Sequence, residues 1–497
     1  MHSKGKALEF NEASERGMGS AMPKHARTMP TESAVSSAAP DNNPGTPSRS
    51  AWSGKWAFIL AGAASAVGLG NLWRFPTLAA KFGGGMFILT YFVLAFTFGI
   101  SLLLLETALG RKTKLSVIGA FSHFRKKWKF LGVLAAAVPF IIVPYYCIIG
   151  GWVAKYLFSY ITESPAAVAG DGFFGSFITS FDASYIFMIV FMAITLVVVA
   201  LGVKRGIEKS NMIMMPLLLI FAVFIAVFVL MQPGAMEGAA YYLIPDFSKF
   251  SGELVINALG QMFYSLSLAM GIMVTYGSYL DRKESLTQSV ASIAGFDLAV
   301  SFLAGLMIIP AAFLALGLGE GGTMTAGPSL MFITLPNVFQ GMGGAAQIIG
   351  IVFFVLVLFA AATSAISLIE ACTSIIQDGT HWSRNKSLAV TGAFIIAAGC
   401  FINAGYNVLI WMEPLGPGTQ LLDFFDFLSN SVMMPIVALL TCVFVGWIIK
   451  PKEIIDEVRE SSEFKLAGVW TIIIKYIAPV LVIVILVANV LPMIFPA

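Results

Sequence analysis

Residues 57–80 read AFILAGAASAVGLGNLWRFPTLAA. The stretch is apolar enough to span a bilayer, yet Gly68-Leu69-Gly70-Asn71 interrupts its centre, followed by Arg74 and Pro76. Glycines weaken a helix, and Pro76 disfavours helix just before it. A helix broken at membrane depth leaves backbone N–H and C=O groups unpaired. Lipid cannot satisfy them, so such backbone must face protein or line a wet cavity. With an Asn amide beside it, this break offers a place to hold a cation and a polar solute, which points to a transporter.

The rest of the chain fits a membrane setting. Of 497 residues, 58% are hydrophobic and 11% charged, against about 25% charged in a soluble globular protein. The reading is an all-α polytopic membrane protein embedded in a lipid bilayer. Cys147, Cys372, Cys400 and Cys442 all lie in apolar runs and form no metal or redox motif, so packing is their expected role. No nucleic-acid partner is expected, and no catalytic triad, P-loop or metal-hydrolase motif is present, so an enzyme is not expected. Residues 1–48 are rich in Ser, Ala, Pro, Asn and charge and read as a disordered cytoplasmic tail; residues 49–497 form the transporter domain.

Spans of roughly 20 apolar residues are expected eleven times, within 56–79, 86–110, 130–160, 184–202, 211–231, 253–280, 287–317, 342–376, 388–404, 421–449 and 468–494. The loop after the second span carries Arg111, Lys112, Lys114, Arg125, Lys126, Lys127 and Lys129. Later loops on that side carry Lys204, Arg205 and Lys209, then Arg282 and Lys283, then Arg384 and Lys386, then Lys450, Lys452, Arg459 and Lys465. The opposite side is nearly free of them. Positive charge marks the cytoplasmic side, so the N-terminus is expected inside and the C-terminus outside.

The sixth span repeats the oddity of the first. In GQMFYSLSLAMGIMVTYGSY, residues 260–279, the centre from Ser265 to Gly271 is small and polar where a lipid-facing helix would be bulky. Interrupted spans at matching positions of two halves indicate a midplane site in an inverted-repeat transporter. The expected architecture is an inverted five-helix repeat, about 52–232 and about 252–449, with broken helices 1 and 6 and an extra helix at about 468–494.

Several polar residues sit at membrane depth. Asn71 beside the break reads as a Na⁺ ligand in preference to an interhelical hydrogen bond, because hard cations take amide, carbonyl, hydroxyl and carboxylate oxygen. Asp297 is an intramembrane carboxylate, costly unless functional, and reads as a group beside a cation. Thr363-Ser364 are either ligands or hydroxyls bonded to their own helix. Glu106 and Glu370 are either proton relays or interhelical bonds. Tyr146 and Tyr264 are either core or gate.

Taken together, Ser65-Ala66-Val67-Gly68-Leu69-Gly70-Asn71-Leu72-Trp73-Arg74-Phe75-Pro76, Gly83-Gly84-Gly85, Glu106 with Gly110-Arg111, Pro144-Tyr145-Tyr146, Gly260-Gln261 and Ala362-Thr363-Ser364 resemble the neurotransmitter:sodium symporter family, especially its bacterial amino acid transporters, over roughly residues 49–494. The resemblance implies two Na⁺ ions. The first would be held by the Ala66 carbonyl, Asn71, Ser265, Asp297 and the substrate carboxylate. The second would be held by carbonyls of Ala64, Val67 and Ala360 with the hydroxyls of Thr363 and Ser364. The substrate carboxylate would meet N–H groups at Leu69-Gly70, where a half-helix dipole is positive, and the Tyr146 hydroxyl. Its amine would meet carbonyls near Ala66, Tyr264 and Ser267.

The implied substrate pocket comprises Ser65, Ala66, Gly68, Leu69, Gly70, Ile142, Tyr146, Tyr264, Ser265, Ser267, Met270, Ser364, Ser367 and Leu368. It carries no formal charge, so a neutral amino acid fits. Gly68 stands where monoamine carriers of the family have an Asp, which argues for an α-amino acid. Met270 replaces an aromatic wall and suggests room for a large apolar or aromatic side chain. Chloride-dependent relatives have Asn at the position of Asp297, so a fixed carboxylate is expected to supply the charge that chloride supplies there. Ser301 falls at a chloride-site serine.

The resemblance also implies gates. Arg74 with Asp426 would form an outer latch under which Tyr146 and Tyr264 close. Arg49 with Asp378 would form an inner latch beside Trp52, Ser278 and Tyr279. Gly206 and Pro216 match a motif for unwinding the fifth span. The expected activity is sodium-coupled, chloride-independent import of a neutral L-amino acid across the cell inner or plasma membrane by alternating access. A proton-coupled carrier of the same fold is the alternative.

Overall fold

The computed structural model describes residues 51–316, 324 and 327–494; the tail at 1–48 and Arg49 lie outside them. Among the described residues the secondary structure is helical, with one isolated bridge between Gly84 and Pro245.

Alanine-rich KWAFILAGAASA forms α1, Lys55–Ala66, as residues with little side-chain entropy to lose should. The chain then extends through Val67 (φ −75°, ψ 103°) and Gly68 (φ −137°, ψ −165°) and resumes as α2, Leu69–Lys81, bent by 59° from α1. Pro76 costs no helical bond, because the helix restarts at Arg74 and Pro76 falls in its first turn. Next come α3 (Gly85–Thr113), α4 (Lys126–Thr162), α5 (Phe181–Ala200) and α6 (Val203–Leu230).

The second break separates α7 (Gly252–Ser265) from α8 (Ile272–Ser278). Between them Ser267 (φ 52°), Ala269 (φ 61°) and Gly271 (φ 71°) take left-handed backbone. Side-chain-bearing residues occupy that region at a cost of about 1–3 kcal/mol each, so neighbours must hold them there. The Ser267 hydroxyl donates to the Ser65 carbonyl at 2.9 Å, and the Ala269 N–H donates to the Glu106 carboxylate at 2.7 Å. The second break is thus held by α1 and α3.

The chain continues through α9 (Leu286–Phe313), α10 (Gly343–Thr380), α11 (Arg384–Tyr406), α12 (Leu421–Ile448), the short amphipathic α13 (Lys452–Arg459) and α14 (Ala467–Leu491). Nine of these helices are individually long and apolar enough to cross a membrane, and the bent pair α1–α2 makes a tenth. The eleventh expected span is α7–α8, whose halves are each too short to cross alone. Helices α1 and α2 pack against α9 and α10, and α8 packs against α3, so both breaks lie in the interior. The least buried spans, α5, α6 and α14, present Ile186, Ile194, Phe224, Val227, Val480 and Val487 outward. An exposed apolar belt of this kind suits lipid, not water.

Helix α6 opens with a π-helical turn, Val203–Glu208, around Gly206. A Cβ on Gly206 would lie 1.9 Å from the Val198 carbonyl oxygen. We expect Gly206→Ala to cost about 1–3 kcal/mol through forced backbone shifts, read as a lower melting temperature of the detergent-purified protein.

Candidate functional site

The α1–α2 break redirects the backbone hydrogen bonds that a continuous helix would make. The Gly68 N–H donates to Asn71 Oδ1 at 2.9 Å, and the Leu69 N–H donates to the Tyr146 hydroxyl at 3.4 Å. In an unbroken helix those donors would serve the carbonyls of Ala64 and Ser65. The Asn71 N–H turns to the Gly68 carbonyl at 3.2 Å instead of that of Val67. Carbonyl oxygens of Ala64, Ser65 and Val67 are released toward α10.

There the Ser364 hydroxyl lies 3.5 Å from the Ala64 oxygen, 3.3 Å from Ser65 and 3.2 Å from Val67. The Thr363 hydroxyl donates to its own helix, at 2.9 Å to Phe359 and 3.1 Å to Ala360. The structure therefore brings Ala64, Val67, Ala360, Thr363 and Ser364 together and adds the Ser65 carbonyl. One hydroxyl proton cannot satisfy three carbonyls, and a desolvated oxygen cluster of this composition fits a hard monovalent cation.

A second cluster surrounds Asn71, which is fully buried with Ser265 and Asp297. Its amide nitrogen is 2.9 Å from Ser265 Oγ, 2.7 Å from Asp297 Oδ1 and 2.8 Å from Ser301 Oγ. Ser265 also donates to Asp297 Oδ1 at 2.6 Å, and the Tyr91 hydroxyl donates to Asp297 Oδ2 at 3.1 Å. Three oxygens crowd an amide that carries two protons, and one of those oxygens belongs to a buried carboxylate. A small cation among them would offset that charge. Among the described residues no group of three or more His, Cys, Asp or Glu side chains could hold a metal, so a transition-metal centre has no donors there.

Between the two clusters lies a cavity of about 30 Å³, room for a water or two. Ser65, Ala66, Gly68, Leu69, Gly70, Ile142, Tyr146, Tyr264, Ser265, Ser267, Met270, Ser364 and Leu368 line it, with Asn71 and Ile272. No charged side chain other than those of a ligand would enter it. A Cβ on Gly68 would lie 2.9 Å from Ser364 Oγ and 3.1 Å from the Tyr146 hydroxyl, so any longer side chain there would displace those hydroxyls.

Three expectations are corrected. Ser367 does not line the cavity: its hydroxyl donates to the Thr363 carbonyl at 3.0 Å and accepts from Tyr276 at 2.8 Å. Arg74 and Asp426 form no ion pair within 4 Å. Asp426 accepts from Asn430 at 2.7 Å, while the Arg74 guanidinium lies 5.9 Å from the Tyr264 ring centroid. Arg111, grouped above with the loop cations, is fully buried against Glu457. Of the two readings left open for the buried acids, the interhelical one has contacts on both: Glu106 holds the Ala269 N–H, and Glu370 pairs with Arg384 at 2.5 Å and accepts from Tyr279 at 2.8 Å.

Arg49 of the expected inner latch lies outside the described residues. Its expected partner Asp378 accepts from the Ser116 N–H at 2.6 Å. Trp52 closes on α8, its indole donating to the Tyr276 carbonyl at 3.0 Å and its ring 6.0 Å from that of Tyr279. Tyr91 was not singled out by sequence reasoning. A tyrosine in an apolar helix carries no signal that separates a carboxylate partner from core packing.

An all-helical membrane bundle with two interior helix breaks and oxygen clusters at the breaks defines a secondary transporter of the broken-helix class. The chain belongs to the sodium:neurotransmitter symporter family, whose profile matches residues 49–169 and 176–496. It is a sodium-dependent transporter and not an enzyme. An uncharacterized sodium-dependent transporter of Haemophilus influenzae is 32% identical over 457 residues, covering 89% of this chain and 98% of that protein. The Bacillus subtilis sodium-dependent transporter YhdH, also uncharacterized, is 34% identical over 442 residues, 87% of this chain and 96% of that one. Among solved structures, MhsT in complex with L-phenylalanine superposes with a TM-score of 0.79 at 34% identity, covering 89% of this chain and all of MhsT.

Proposed function

We propose that the protein imports a neutral, hydrophobic or aromatic L-amino acid with two Na⁺ ions and without chloride, the N-terminus lying in the cytoplasm. The observation that carries this is the pairing of two oxygen clusters, one of freed carbonyls and one around Asp297, on either side of an uncharged cavity. The half-helix starting at Leu69 directs N–H groups at that cavity, where a carboxylate is favoured. Tyr146 stands beside the same N–H and can donate to the carboxylate. The α-amine faces carbonyl oxygen of the unwound segments, and the side chain meets Ile142, Met270 and Leu368. The L-phenylalanine in MhsT supports an aromatic side chain.

Asp297 supports chloride independence, since it already supplies the buried negative charge that the first cation requires. The second cluster draws ligands from α1 and from α10, so a cation there joins two groups of helices. Alternating access then follows from rocking α1, α2, α3, α7, α8 and α9 against α4, α5, α10 and α11 around the fixed site. Each positive charge moved inward across 100 mV contributes about 2.3 kcal/mol.

The test is uptake of labelled neutral amino acids into proteoliposomes. An inward Na⁺ gradient should drive concentrative uptake, unchanged when gluconate replaces chloride. The alternative is a proton-coupled carrier. It is favoured by the second Glu106 oxygen, which is buried without a hydrogen-bond partner. Uptake driven by a proton gradient in sodium-free buffer would establish it and overturn the two-sodium reading.

A further inference from the structure

Helices α8 and α10 face each other below the cavity through two hydrogen bonds in the same register. The Tyr276 phenol donates to the Ser367 hydroxyl at 2.8 Å, and one turn further the Tyr279 phenol donates to Glu370 at 2.8 Å. Tyr276 and Ser367 are both fully buried. The upper of these rungs lies one turn from the second oxygen cluster on the same helix: the Ser367 hydroxyl, occupied as acceptor by Tyr276, donates at 3.0 Å to the backbone carbonyl of Thr363, whose hydroxyl belongs to that cluster. The rung continues toward the cytoplasmic closure. The Trp52 indole donates to the Tyr276 carbonyl, and its ring meets the Tyr276 ring edge-on at 5.2 Å.

We propose that the Tyr276–Ser367 bond is the contact through which the second sodium site is coupled to closure of the cytoplasmic side, making Tyr276 a positioning residue for that ion. The inference rests on the sodium-coupled reading above. The second cluster takes carbonyls from α1 and hydroxyls from α10, so a cation there favours the arrangement in which the two helix groups are together. The Tyr276–Ser367 bond joins the same two groups, α8 on one side and α10 on the other. Coupling of this kind is reciprocal. Whatever favours the joined arrangement raises sodium affinity, and its removal populates the separated arrangement and lowers that affinity by the same factor.

The test is equilibrium binding of radiolabelled sodium to the purified full-length protein, without amino acid, for wild type, Tyr276→Phe, Ser367→Ala and the double variant. Each single variant should raise the half-saturating sodium concentration about five-fold, the factor expected for one neutral hydrogen bond of about 1 kcal/mol. The double variant should rise no further, since both changes remove one interaction. Sodium half-saturation within two-fold of wild type in Tyr276→Phe overturns the proposal, as do single effects that simply add. Should Ser367→Ala fail to fold, Tyr276→Phe alone decides, because phenylalanine keeps the ring contact with Trp52. Absence of sodium binding in the wild type would instead remove the sodium-coupled reading itself.

Discussion

Asp297→Asn is expected to reduce sodium-driven uptake in chloride-free medium by about 100-fold or more. The carboxylate is fully buried, and both of its oxygens are engaged: Oδ1 by Asn71 and Ser265, Oδ2 by Tyr91. Removing one partner of a buried charge pair costs about 3–5 kcal/mol, or about two to three and a half factors of ten in affinity. The substitution nearly preserves volume, so the packed core should survive. It leaves Asn71, Ser265, Ser301 and Tyr91 as donors around a site with no fixed negative charge. Chloride is therefore expected to restore part of the uptake. The check is the initial uptake rate of the variant against sodium concentration, in chloride and in gluconate. Uptake indifferent to the substitution would remove Asp297 from the cation site.

Arg111→Met is expected to destabilise the fold strongly. Arg111 Nε donates to Glu457 Oε1 at 2.6 Å, and its terminal nitrogens donate to the carbonyls of Glu457 at 2.5 Å and Glu284 at 2.7 Å and to Ser461 Oγ at 2.9 Å. The two side chains are 0% and 1% exposed. The guanidinium thus fastens the end of α3 to α13 and to the chain entering α9. Loss of Arg111 alone leaves the Glu457 carboxylate buried without its counter-charge, at about 3–5 kcal/mol. Replacing both, as Arg111→Met with Glu457→Leu, should recover much of that, because two apolar groups bury without a desolvation penalty. The measurement is thermal unfolding of the purified protein in detergent for the two single variants and the double. Strict additivity of the two losses would show that the pair is not coupled.

The fold was legible because its decisive features are local. Apolar runs long enough for a membrane, a Gly-Leu-Gly-Asn interruption and a small polar centre in the sixth span each act within a few residues of chain. Asn71 was legible as a candidate ligand for the same reason, since it lies at the break itself; the Ala64 and Val67 carbonyls were singled out through the family resemblance. What failed was orientation around a helix. Ser364 and Ser367 lie three residues apart on α10 and share one broad face, yet one reaches the cavity and the other is captured by Tyr276. Arg74 lies in α2 and Asp426 in the first turns of α12, but which neighbour they meet depends on how those helices pack.

By itself, then, the sequence determined an all-helical membrane protein with two interrupted spans, a sodium-dependent family and an uncharged pocket. The spans and their interruptions follow from hydropathy and backbone conformational preference, both short-range properties; the family and the pocket follow from the motif resemblance. Tertiary structure alone decided the partners of the buried polar groups. Tyr91 meets Asp297 across 206 positions, Tyr276 meets Ser367 across 91, and Arg111 meets Glu457 across 346. A buried donor must find an acceptor somewhere, but the chain states only the requirement. The packing of distant helices supplies the atom that meets it.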